Sequence, residues 1–331
     1  MINKKISIAM ATYNGEHYIE KQLDTILYQT RVPDEVIICD DSSNDQTAEI
    51  IKKFIEDHRL VTWHLNVNES NVGYKRNFYN AISKTTGDVI FLADQDDEWC
   101  ENKLEKMTSV LEGNEKIVSL SCAVELIDGD SKKINHICQP GYYNCDFLYL
   151  KDAPAHLEFF DLAYIAKHNI SPGCAMVITR LLAEKFLKAY NFELPHDWFL
   201  NLLAAADERC GFLNESLIRY RRHNNNTIGA NNGVVTGIRK KTRDVRIEDF
   251  KFREKAINIV RESGEQLNTE SVKKIQDLYD KMIDFYQSPS LIKLLNLRKN
   301  PDYFELAKRK VRLWEFIVAI RLDTLALNVV D

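Results

Sequence analysis

Short apolar runs alternate with segments of helical periodicity along the N-terminal third of the chain. Four of these runs end at turn residues and predict β-strands: 6–10, 35–41, 61–65 and 89–92. Three segments between them predict amphipathic helices: 16–29, 47–57 and 74–83. This alternation predicts an α/β fold with βαβ units, right-handed crossovers and a mostly parallel sheet flanked by helices.

Three acids follow the run at 89–92, namely Asp94, Asp96 and Asp97. Carboxylates at the end of a buried strand are costly unless their charge has a partner. The carboxyl edge of an open α/β sheet is where ligands bind, and Asp41, at the end of the second strand, belongs to the same edge. These oxygen ligands suit a Mg²⁺ or Mn²⁺ ion shared with substrate phosphates. The alternative is a solvated acidic turn.

The remaining chain continues the mixed pattern as far as residue 230. It predicts strands at 117–127 and 211–220, helices at 102–113, 181–190 and 199–206, a turn at 128–131, and a tight turn with a short strand at 171–178. Segment 135–170 gives no clear pattern. A linker signal at 231–233 precedes a charged helical region, so we expect a catalytic domain at 1–230 and a helical region at 235–331.

Composition narrows the class of protein. The net charge of −5 argues against nucleic-acid binding. The seven cysteines form no C-x-x-C pair, so we expect neither a structural zinc site nor a disulfide framework, and we expect a cytoplasmic protein. Residues 1–10 are too short and too polar for a signal peptide, and no apolar run reaches 18 residues, so we expect neither a signal peptide nor a membrane-spanning segment. Neither G-x-G-x-x-G nor a P-loop motif is present, so a metal would have to hold any phosphates.

Three ordered motifs carry a resemblance to a known family. They are 10–15 (Met-Ala-Thr-Tyr-Asn-Gly), 93–97 (Ala-Asp-Gln-Asp-Asp) with Trp99, and 220–226 (Tyr-Arg-Arg-His-Asn-Asn-Asn). The chain resembles glycosyltransferase family 2, which has the GT-A (Rossmann-like) fold, over about residues 5–230. Within the family it looks most like bacterial rhamnosyltransferase-type enzymes of surface polysaccharide synthesis.

The resemblance implies a nucleotide site and a metal site. Ala11, Tyr13 and Asn14 would hold the base, and Asp41 would accept the N3–H of uracil or thymine. Asp94 would lie near the ribose and also contact the metal. Three arginines complete the predicted nucleotide contacts: Arg76, Arg221 and Arg222. Arg221 or Arg222 would pair with the diphosphate through its planar guanidinium.

For the metal, the resemblance implies Asp96 as the main ligand of Mn²⁺ or Mg²⁺, and His223 is a further candidate. Asp97 would orient the ligands or cap the next helix. Asp40, beside Asp41, would cap the helix that follows, and this is also the alternative for the pair. For His223, in the loop at 221–226, the alternative is a surface residue that binds no ligand.

Asp197 is the predicted general base, which would take a proton from the acceptor hydroxyl. Family members commonly carry Glu-Asp at this point, whereas this chain has His196-Asp197. The alternative is an N-cap aspartate beside a surface histidine. The residues expected near the acceptor are Gly173, Cys174, His196 and Trp198; for Gly173 and Cys174 the alternative is a plain turn between core elements.

The resemblance therefore implies an inverting, metal-dependent transferase that moves a sugar from a nucleotide donor to a hydroxyl of a growing surface glycan. The favoured donor is dTDP-rhamnose, and a UDP-hexose is second. The alternatives are a sugar-1-phosphate nucleotidyltransferase and an inactive nucleotide-sugar-binding module. The first alternative needs a glycine-rich basic loop after the first strand, and residues 11–15 lack one.

The C-terminal region contains a basic amphipathic segment. Its apolar residues follow one helical face: Phe304, Ala307, Val311, Trp314, Val318 and Leu322. Basic residues flank this face: Lys308, Arg309, Lys310, Arg312 and Arg321. This pattern predicts contact with the anionic inner face of the plasma membrane, which suits a lipid-linked glycan acceptor. The alternatives are a helix packed on the catalytic domain and a helix that pairs two subunits in a homodimer.

Overall fold

The structure of the protein is a computed structural model that describes residues 4–223, 242–263, 269–307 and 309–320. The predicted loop residues 224–227, the linker signal at 231–233 and three residues of the basic segment (Lys308, Arg321 and Leu322) lie outside these ranges. The chain divides into two compact units. One contains Met1–Asp161 and His168–Asn232, and the other contains Leu162–Lys167 and Gly233–Asp331.

Eleven strands occur in the described part of the chain. They are β1 (Ile6–Thr12), β2 (Glu35–Asp40), β3 (Trp63–Val67), β4 (Val89–Asp94), β5 (Glu98–Trp99), β6 (Ser119–Ile127), β7 (Tyr142–Tyr143), β8 (Leu148–Tyr149), β9 (Leu157–Phe160), β10 (Met176–Thr179) and β11 (Cys210–Arg221). The main sheet has the order β3-β2-β1-β4-β10-β6-β11-β5, and β9 also pairs with β11. A separate hairpin joins β7 and β8.

The main sheet is mostly parallel. Strands β1, β2, β3, β4, β6 and β11 run in one direction, whereas β5, β9 and β10 run in the other. Every residue of β1 and β2 is buried, as expected for parallel strands that are covered on both faces. The predicted α/β architecture is confirmed.

The helices of the first unit are α1 (Ile19–Leu27), α2 (Thr47–Asp57), α3 (Tyr74–Lys84), α4 (Lys103–Gly113), α6 (Arg180–Ala189) and α7 (His196–Ala206). Each buries one apolar stripe, such as Ile51 and Phe54 of α2, in the core beside the sheet. The predicted helix at 16–29 is shorter at both ends, because Gly15 O accepts the amides of Tyr18 and Ile19 in a turn. Helix α7 begins earlier than predicted, directly after Pro195.

The segment without a clear pattern, 135–170, contains β7, β8, β9 and helix α5 (Leu162–Lys167). Within it, Asn144, Cys145 and Asp146 have φ values of 49°, 54° and 70°, three consecutive left-handed residues of which none is glycine. Left-handed backbone is unfavourable for such residues, which visit it singly rather than in runs.

The second unit contains α5 and the helices α8 (Arg243–Glu262), α9 (Thr269–Gln287), α10 (Leu291–Leu297), α11 (Pro301–Leu306) and α12 (Arg309–Ala319). The predicted apolar face of the basic segment packs inside this unit only in part: Ala307 and Val318 are fully buried and Trp314 contacts the Tyr286 ring, whereas Phe304 is 44% exposed. Other large apolar side chains are exposed instead: Leu291, Ile292, Leu295, Leu313, Phe316, Ile317 and Ile320. In the described residues, no helix is long and apolar enough to cross a membrane.

Candidate active site

The three acids after β4 lie at the carboxyl edge of the sheet, beside the start of β10. Because β10 is antiparallel to β4, its first residues adjoin the end of β4. The ligand atoms of Asp94, Asp97 and Cys174 all lie within 4.8 Å of one another. Asp97 is fully buried; its Oδ1 accepts the Arg221 amide at 3.0 Å, while Oδ2 has no hydrogen-bond partner in the described residues. Asp97 therefore has an oxygen available for a cation.

The raised pKa values of these acids also indicate that a cation is needed at this edge. Burial raises the pKa of Asp94 well above its usual range, and the negative charges of Asp96 and Asp97 raise it further. Burial, followed by the charge of Asp96, raises the pKa of Asp97 to about 7. Carboxylates held this close together need a positive charge to remain ionised. Asp97 does not cap α4, whose N-cap is Asn102; it belongs to the acid cluster, and its role in orienting the ligands stays a prediction.

Lys103 supplies one buried positive charge near this cluster, and the sequence analysis missed it. It begins α4 and is fully buried. Its Nζ donates to Cys174 O at 2.7 Å and lies 3.7 Å from the centre of the Trp99 ring. Burial lowers the pKa of Lys103. The signal in the sequence was its position on the same helical stripe as Met107 and Leu111.

Asp96 faces the loop that follows β11. Its Oδ2 lies 2.7 Å from His223 Nε2, so the structure brings together the two residues that were predicted to bind the metal. The His223 ring packs against Tyr18 at 4.8 Å between ring centres.

Arg221 has a different role from the predicted one. Its side chain is buried, and its guanidinium donates to Asp96 O at 2.7 Å, Asp128 O at 2.8 Å and Glu98 Oε1 at 2.7 Å, as well as to Gly129 O and Ser131 Oγ. The five N–H donors of a guanidinium are thus occupied by protein groups. The assignment of Arg221 to a phosphate is therefore corrected: Arg221 fixes the acidic loop to the 128–131 turn.

The Tyr13 loop is held by contacts that the sequence analysis did not foresee. Gln95 clamps the main chain of Tyr13, with Oε1 accepting its amide at 2.7 Å and Nε2 donating to its carbonyl at 2.9 Å. The Tyr13 ring is 42% exposed and thus open to a ligand. Asn14 has a positive φ of 50°, and its side chain accepts the Asn44 amide. Asn14 therefore shapes the loop, and Ala11, in β1, is buried.

The two acids at the end of β2 have separate partners. Asp40 accepts Thr12 Oγ1 at 2.8 Å and the Ser43 amide at 2.9 Å. The prediction that it caps the following helix is wrong, because the N-cap of α2 is Gln46 and Asp40 bonds the turn before it. Asp41 accepts the amides of Val72 and Gly73, both at 2.8 Å, and Asn68 Nδ2 at 2.9 Å. These bonds occupy three of about four lone-pair positions on its carboxylate.

The remaining arginine candidates have different surroundings. Arg76 lies on α3, is exposed, and places its guanidinium 3.9 Å from the centre of the Phe192 ring. Arg222 acts electrostatically on the Cys145 thiol, and its amide donates to Ile127 O. Among the described residues, neither arginine forms a hydrogen bond or ion pair with the three acids.

Asp197 lies in the first turn of α7 and is only half-buried. A chain of amides orients it: Asn169 Nδ2 donates to Asp197 Oδ2 at 2.8 Å, and Asn201 Nδ2 donates to Asn169 Oδ1 at 3.1 Å. Ser119 Oγ donates to Asn201 Oδ1 at 2.8 Å and anchors the chain in β6. The charge of Asp197 raises the pKa of Asp94 further, and a Cβ on Gly173, which directly precedes Cys174 of the acid cluster, would lie 3.3 Å from Asp197 Cβ. The sequence analysis missed Asn169.

The other residues expected near the acceptor are mostly buried. Cys174 is 0%, His196 5% and Trp198 8% exposed. The His196 ring stacks on Phe78 at 4.0 Å between centres, and burial lowers its pKa to about 4. A Cβ on Gly173 would lie 2.8 Å from His196 Nε2, so only glycine fits there. Direct acceptor contact by Cys174, His196 and Trp198 is thus corrected: these residues form the wall behind Asp197. The alternative of a surface histidine is also wrong.

The mixed sheet, with the acids and the oriented Asp197 carboxylate at one edge, is that of an α/β enzyme of the GT-A type. Its structure is similar to that of S. aureus TarS 1-349 in complex with UDP-GlcNAc, with a TM-score of 0.59 and 16% identity over 93% of this chain and 82% of that one. This similarity confirms the GT-A fold.

The sequence profile of glycosyl transferase family 2 matches residues 7–184, more than half of the chain. The protein belongs to glycosyl transferase family 2. It is 30% identical over 234 residues to the dTDP-rhamnosyl transferase RfbG of Shigella flexneri, covering 67% of this chain and 74% of RfbG. It is 28% identical over 215 residues to the UDP-Glc:alpha-D-GlcNAc-diphosphoundecaprenol beta-1,3-glucosyltransferase WfgD of Escherichia coli. This match covers 63% of this chain and 74% of WfgD.

Proposed function

We propose that this glycosyltransferase is inverting and metal-dependent, and that it transfers a sugar from a nucleotide donor to a hydroxyl of a growing cell-surface glycan. The observation that carries the proposal is the cluster of Asp94, Asp96 and Asp97 beside the oriented Asp197. It combines a site for a cation with a candidate base at one edge of the sheet.

A divalent ion fits the residues at this edge. The oxygens are hard donors, Asp97 Oδ2 is buried without a hydrogen-bond partner in the described residues, and the raised pKa values of Asp94 and Asp97 express uncompensated negative charge. The proposed ligands are Asp94, Asp96 and His223, with Asp97 added. When bound, Mn²⁺ or Mg²⁺ would supply positive charge to the departing nucleotide diphosphate.

The chain's own residues would perform the proton transfer. Asp197 accepts the proton of the acceptor hydroxyl while that oxygen attacks the anomeric carbon, and the bond to the nucleotide diphosphate breaks. Asn169 keeps one carboxylate oxygen of Asp197 occupied at 2.8 Å, so the other faces the acceptor. A single displacement with one base and no enzyme nucleophile inverts the anomeric configuration.

The favoured donor is dTDP-rhamnose, with a UDP-hexose second, and the acceptor is a lipid-linked glycan. The similarity to RfbG and WfgD supports this choice. The base would rest on the exposed ring of Tyr13, and the remaining acceptor position of Asp41 suits the imide N–H of thymine or uracil. Arg76 and Arg222 stay as proposed contacts to the nucleotide.

A donor screen tests the proposal. Thermal unfolding of the protein with Mn²⁺ is measured with dTDP-rhamnose, UDP-glucose and UDP-GlcNAc, and we expect dTDP-rhamnose to raise the Tm most. Release of dTDP in the presence of a lipid-linked glycan extract then reports turnover, and Asp197→Asn should retain the Tm shift but lose the release. Formation of pyrophosphate from dTTP and sugar-1-phosphate would instead indicate a nucleotidyltransferase. Donor binding without turnover in the unmodified protein would indicate an inactive module.

We also propose that the second unit contacts an anionic membrane surface through its exposed apolar side chains. Leu313 and Phe316 on α12 are 65% and 43% exposed, and Ile292 and Leu295 on α10 are 73% and 60% exposed. Co-sedimentation with phosphatidylglycerol vesicles should fall strongly in the double variant Leu313→Ser/Phe316→Ser. The control is Val61→Ser, which removes an exposed apolar side chain of the first unit and should not alter co-sedimentation. Equal recovery of all three proteins, together with a dimer in solution that the double variant disrupts, would favour a subunit interface.

A further inference from the structure

A second group of potential metal ligands lies in the first unit, with two ligands in the loop between β6 and β7 and the third in the turn between β7 and β8. The ligand atoms of His136, Cys138 and Asp146 all lie within 4.8 Å of one another. His136 Nε2 and Asp146 Oδ2 are 3.0 Å apart, and both side chains are only about a fifth exposed, at 23% and 22%. None of these residues belongs to the acid cluster that follows β4.

We propose that His136, Cys138 and Asp146 bind a transition-metal ion of the Zn²⁺ class, with water as the fourth ligand. Imidazole, thiolate and carboxylate are the three donor types that zinc takes in proteins. A tetrahedron with bonds of about 2.0–2.3 Å has donor–donor edges of about 3.3–3.8 Å, so the three side chains need only small rotamer adjustments. The mixed donor set with a soft sulfur favours Zn²⁺ over Mg²⁺ or Ca²⁺.

The supporting contacts hold the candidate ligands in place. Asp146 Oδ1 accepts the Gln139 main-chain amide at 2.9 Å, and its Oδ2 accepts Gln139 Nε2 at 3.3 Å while lying 3.0 Å from His136 Nε2. Such bonds to ligand carboxylates are typical of metal sites, where outer groups orient the inner ones. On metal binding, the Cys138 thiol would lose its proton and the His136 ring would bind through Nε2 as a neutral imidazole.

The backbone of this loop is strained where it presents Asp146. Asn144, Cys145 and Asp146 are all left-handed, and such conformations persist only where surrounding interactions fix them. Asn144 provides two of these interactions: its Oδ1 accepts the Val124 amide at 2.7 Å, and its Nδ2 donates to Ile170 O at 3.2 Å. Ile170 directly follows Asn169, so a metal here would stabilise the segment that carries the orienting amide.

The sequence analysis argued against zinc because no C-x-x-C pair exists. That rule covers sites built from paired cysteines and does not cover a mixed set with one histidine, one cysteine and one acid. The structure brings these three together because the left-handed turn folds Asp146 back onto the 136–138 segment.

Cobalt substitution of the full-length chain tests this site. The reduced, metal-free protein is titrated with Co²⁺, and a thiolate-to-cobalt charge-transfer band in the near ultraviolet should develop and saturate at about one ion per chain. Cys138→Ser should abolish the band, and His136→Gln should weaken cobalt binding by at least about tenfold, the effect expected for a lost ligand or its support. Cys145→Ser and Cys174→Ser are the controls: the first changes a neighbouring thiol, and the second changes the thiol of the acid cluster.

Hydrogen exchange provides a second readout that does not depend on activity. Zn²⁺ should slow amide exchange across 136–147 in the unmodified protein and in Cys145→Ser, but not in Cys138→Ser. A band that is lost only in Cys174→Ser would overturn the proposal, and so would equal Zn²⁺ retention by Cys138→Ser and the unmodified protein after dialysis. Folding of the variants is checked by circular dichroism, and His136→Gln serves where Cys138→Ser is unstable.

Discussion

Replacing Asn169 with alanine tests the link between the fold and the proposed catalytic base. Asn169 Nδ2 donates to Asp197 Oδ2 at 2.8 Å, and Asn169 is itself held by the buried Asn201. Asn169→Ala removes the bond that fixes one carboxylate oxygen, and Asp197, which is half-buried, can then rotate. We therefore expect a slower chemical step with little change in donor affinity.

The structure sets the size of this effect. A hydrogen bond to a charged group contributes about 1.5–3 kcal/mol. At about 1.36 kcal/mol per tenfold change in rate, its loss from the transition state lowers kcat by about 10- to 150-fold. Removing a general base altogether costs about 100- to 10,000-fold, so Asp197→Asn should be at least as damaging as Asn169→Ala.

The assay is dTDP release under single-turnover and steady-state conditions for Asn169→Ala, Asp197→Asn and the double variant. If Asn169 acts through Asp197, the double variant should be no slower than Asp197→Asn, because the two residues form one unit. Asn214→Ala is the matched control, because it also removes an asparagine amide. Asn214 is exposed, and its Nδ2 donates to a main-chain carbonyl, Pro154 O, at 3.3 Å. Multiplicative losses in the double variant, or a loss confined to KM, would refute the positioning role.

Three other changes test separate features of the first unit. Asp96→Ala should abolish turnover while leaving the Tm within a few degrees of the value for the unmodified protein. A chelator should likewise abolish turnover by the unmodified protein, and full activity in its presence would exclude metal dependence. Arg221→Ala removes a buried cation from Glu98 and should lower the free energy of unfolding, measured in urea, by about 3–5 kcal/mol. The control is Arg219→Ala, which removes the partly exposed cation that also pairs with Glu98 and should cost less than about 1 kcal/mol. Similar losses in the two variants would contradict the structural role of Arg221. Burial lowers the pKa of His196 from 6.5 to about 4. The unfolded chain therefore binds more protons than the folded chain between these pH values, and the free energy of unfolding should fall as the pH drops from 6.5 to 4. The difference between the Tm at pH 7 and the Tm at pH 4.5 should be smaller in His196→Gln than in the unmodified protein, and an unchanged difference would show that another group is responsible.

The elements of the first half could be predicted because local pattern and tertiary burial agree there. The runs that became β1, β2 and β4 are apolar and short, and parallel strands covered on both faces require that composition. The position of Asp41, Asp94 and Asp96 at one edge followed from the direction of the strands alone. Asp40 could be separated from Asp41 because adjacent residues of a strand point to opposite sides.

The parts that could not be predicted depend on distant contacts. Lys103 is buried because its amine reaches Cys174 O, and local pattern does not record a partner that lies far along the chain. Arg221 was assigned to a phosphate because an arginine in a polar loop is normally exposed, whereas here the carbonyls of the 128–131 turn surround it. Asn169 and Asn201 belong to different segments, and only the folded chain joins them.

The reversed direction of β10 has a consequence for how such an enzyme could change its specificity. Cys174 enters the acid cluster from the beginning of a strand, whereas Asp94 enters it from the end of one. The connection that leads into β10 can therefore lengthen, shorten or change sequence without moving the register of the strands that carry the acids. On the proposed function, recognition of the acceptor can diversify in this connection while the acids proposed to hold the cation keep their positions.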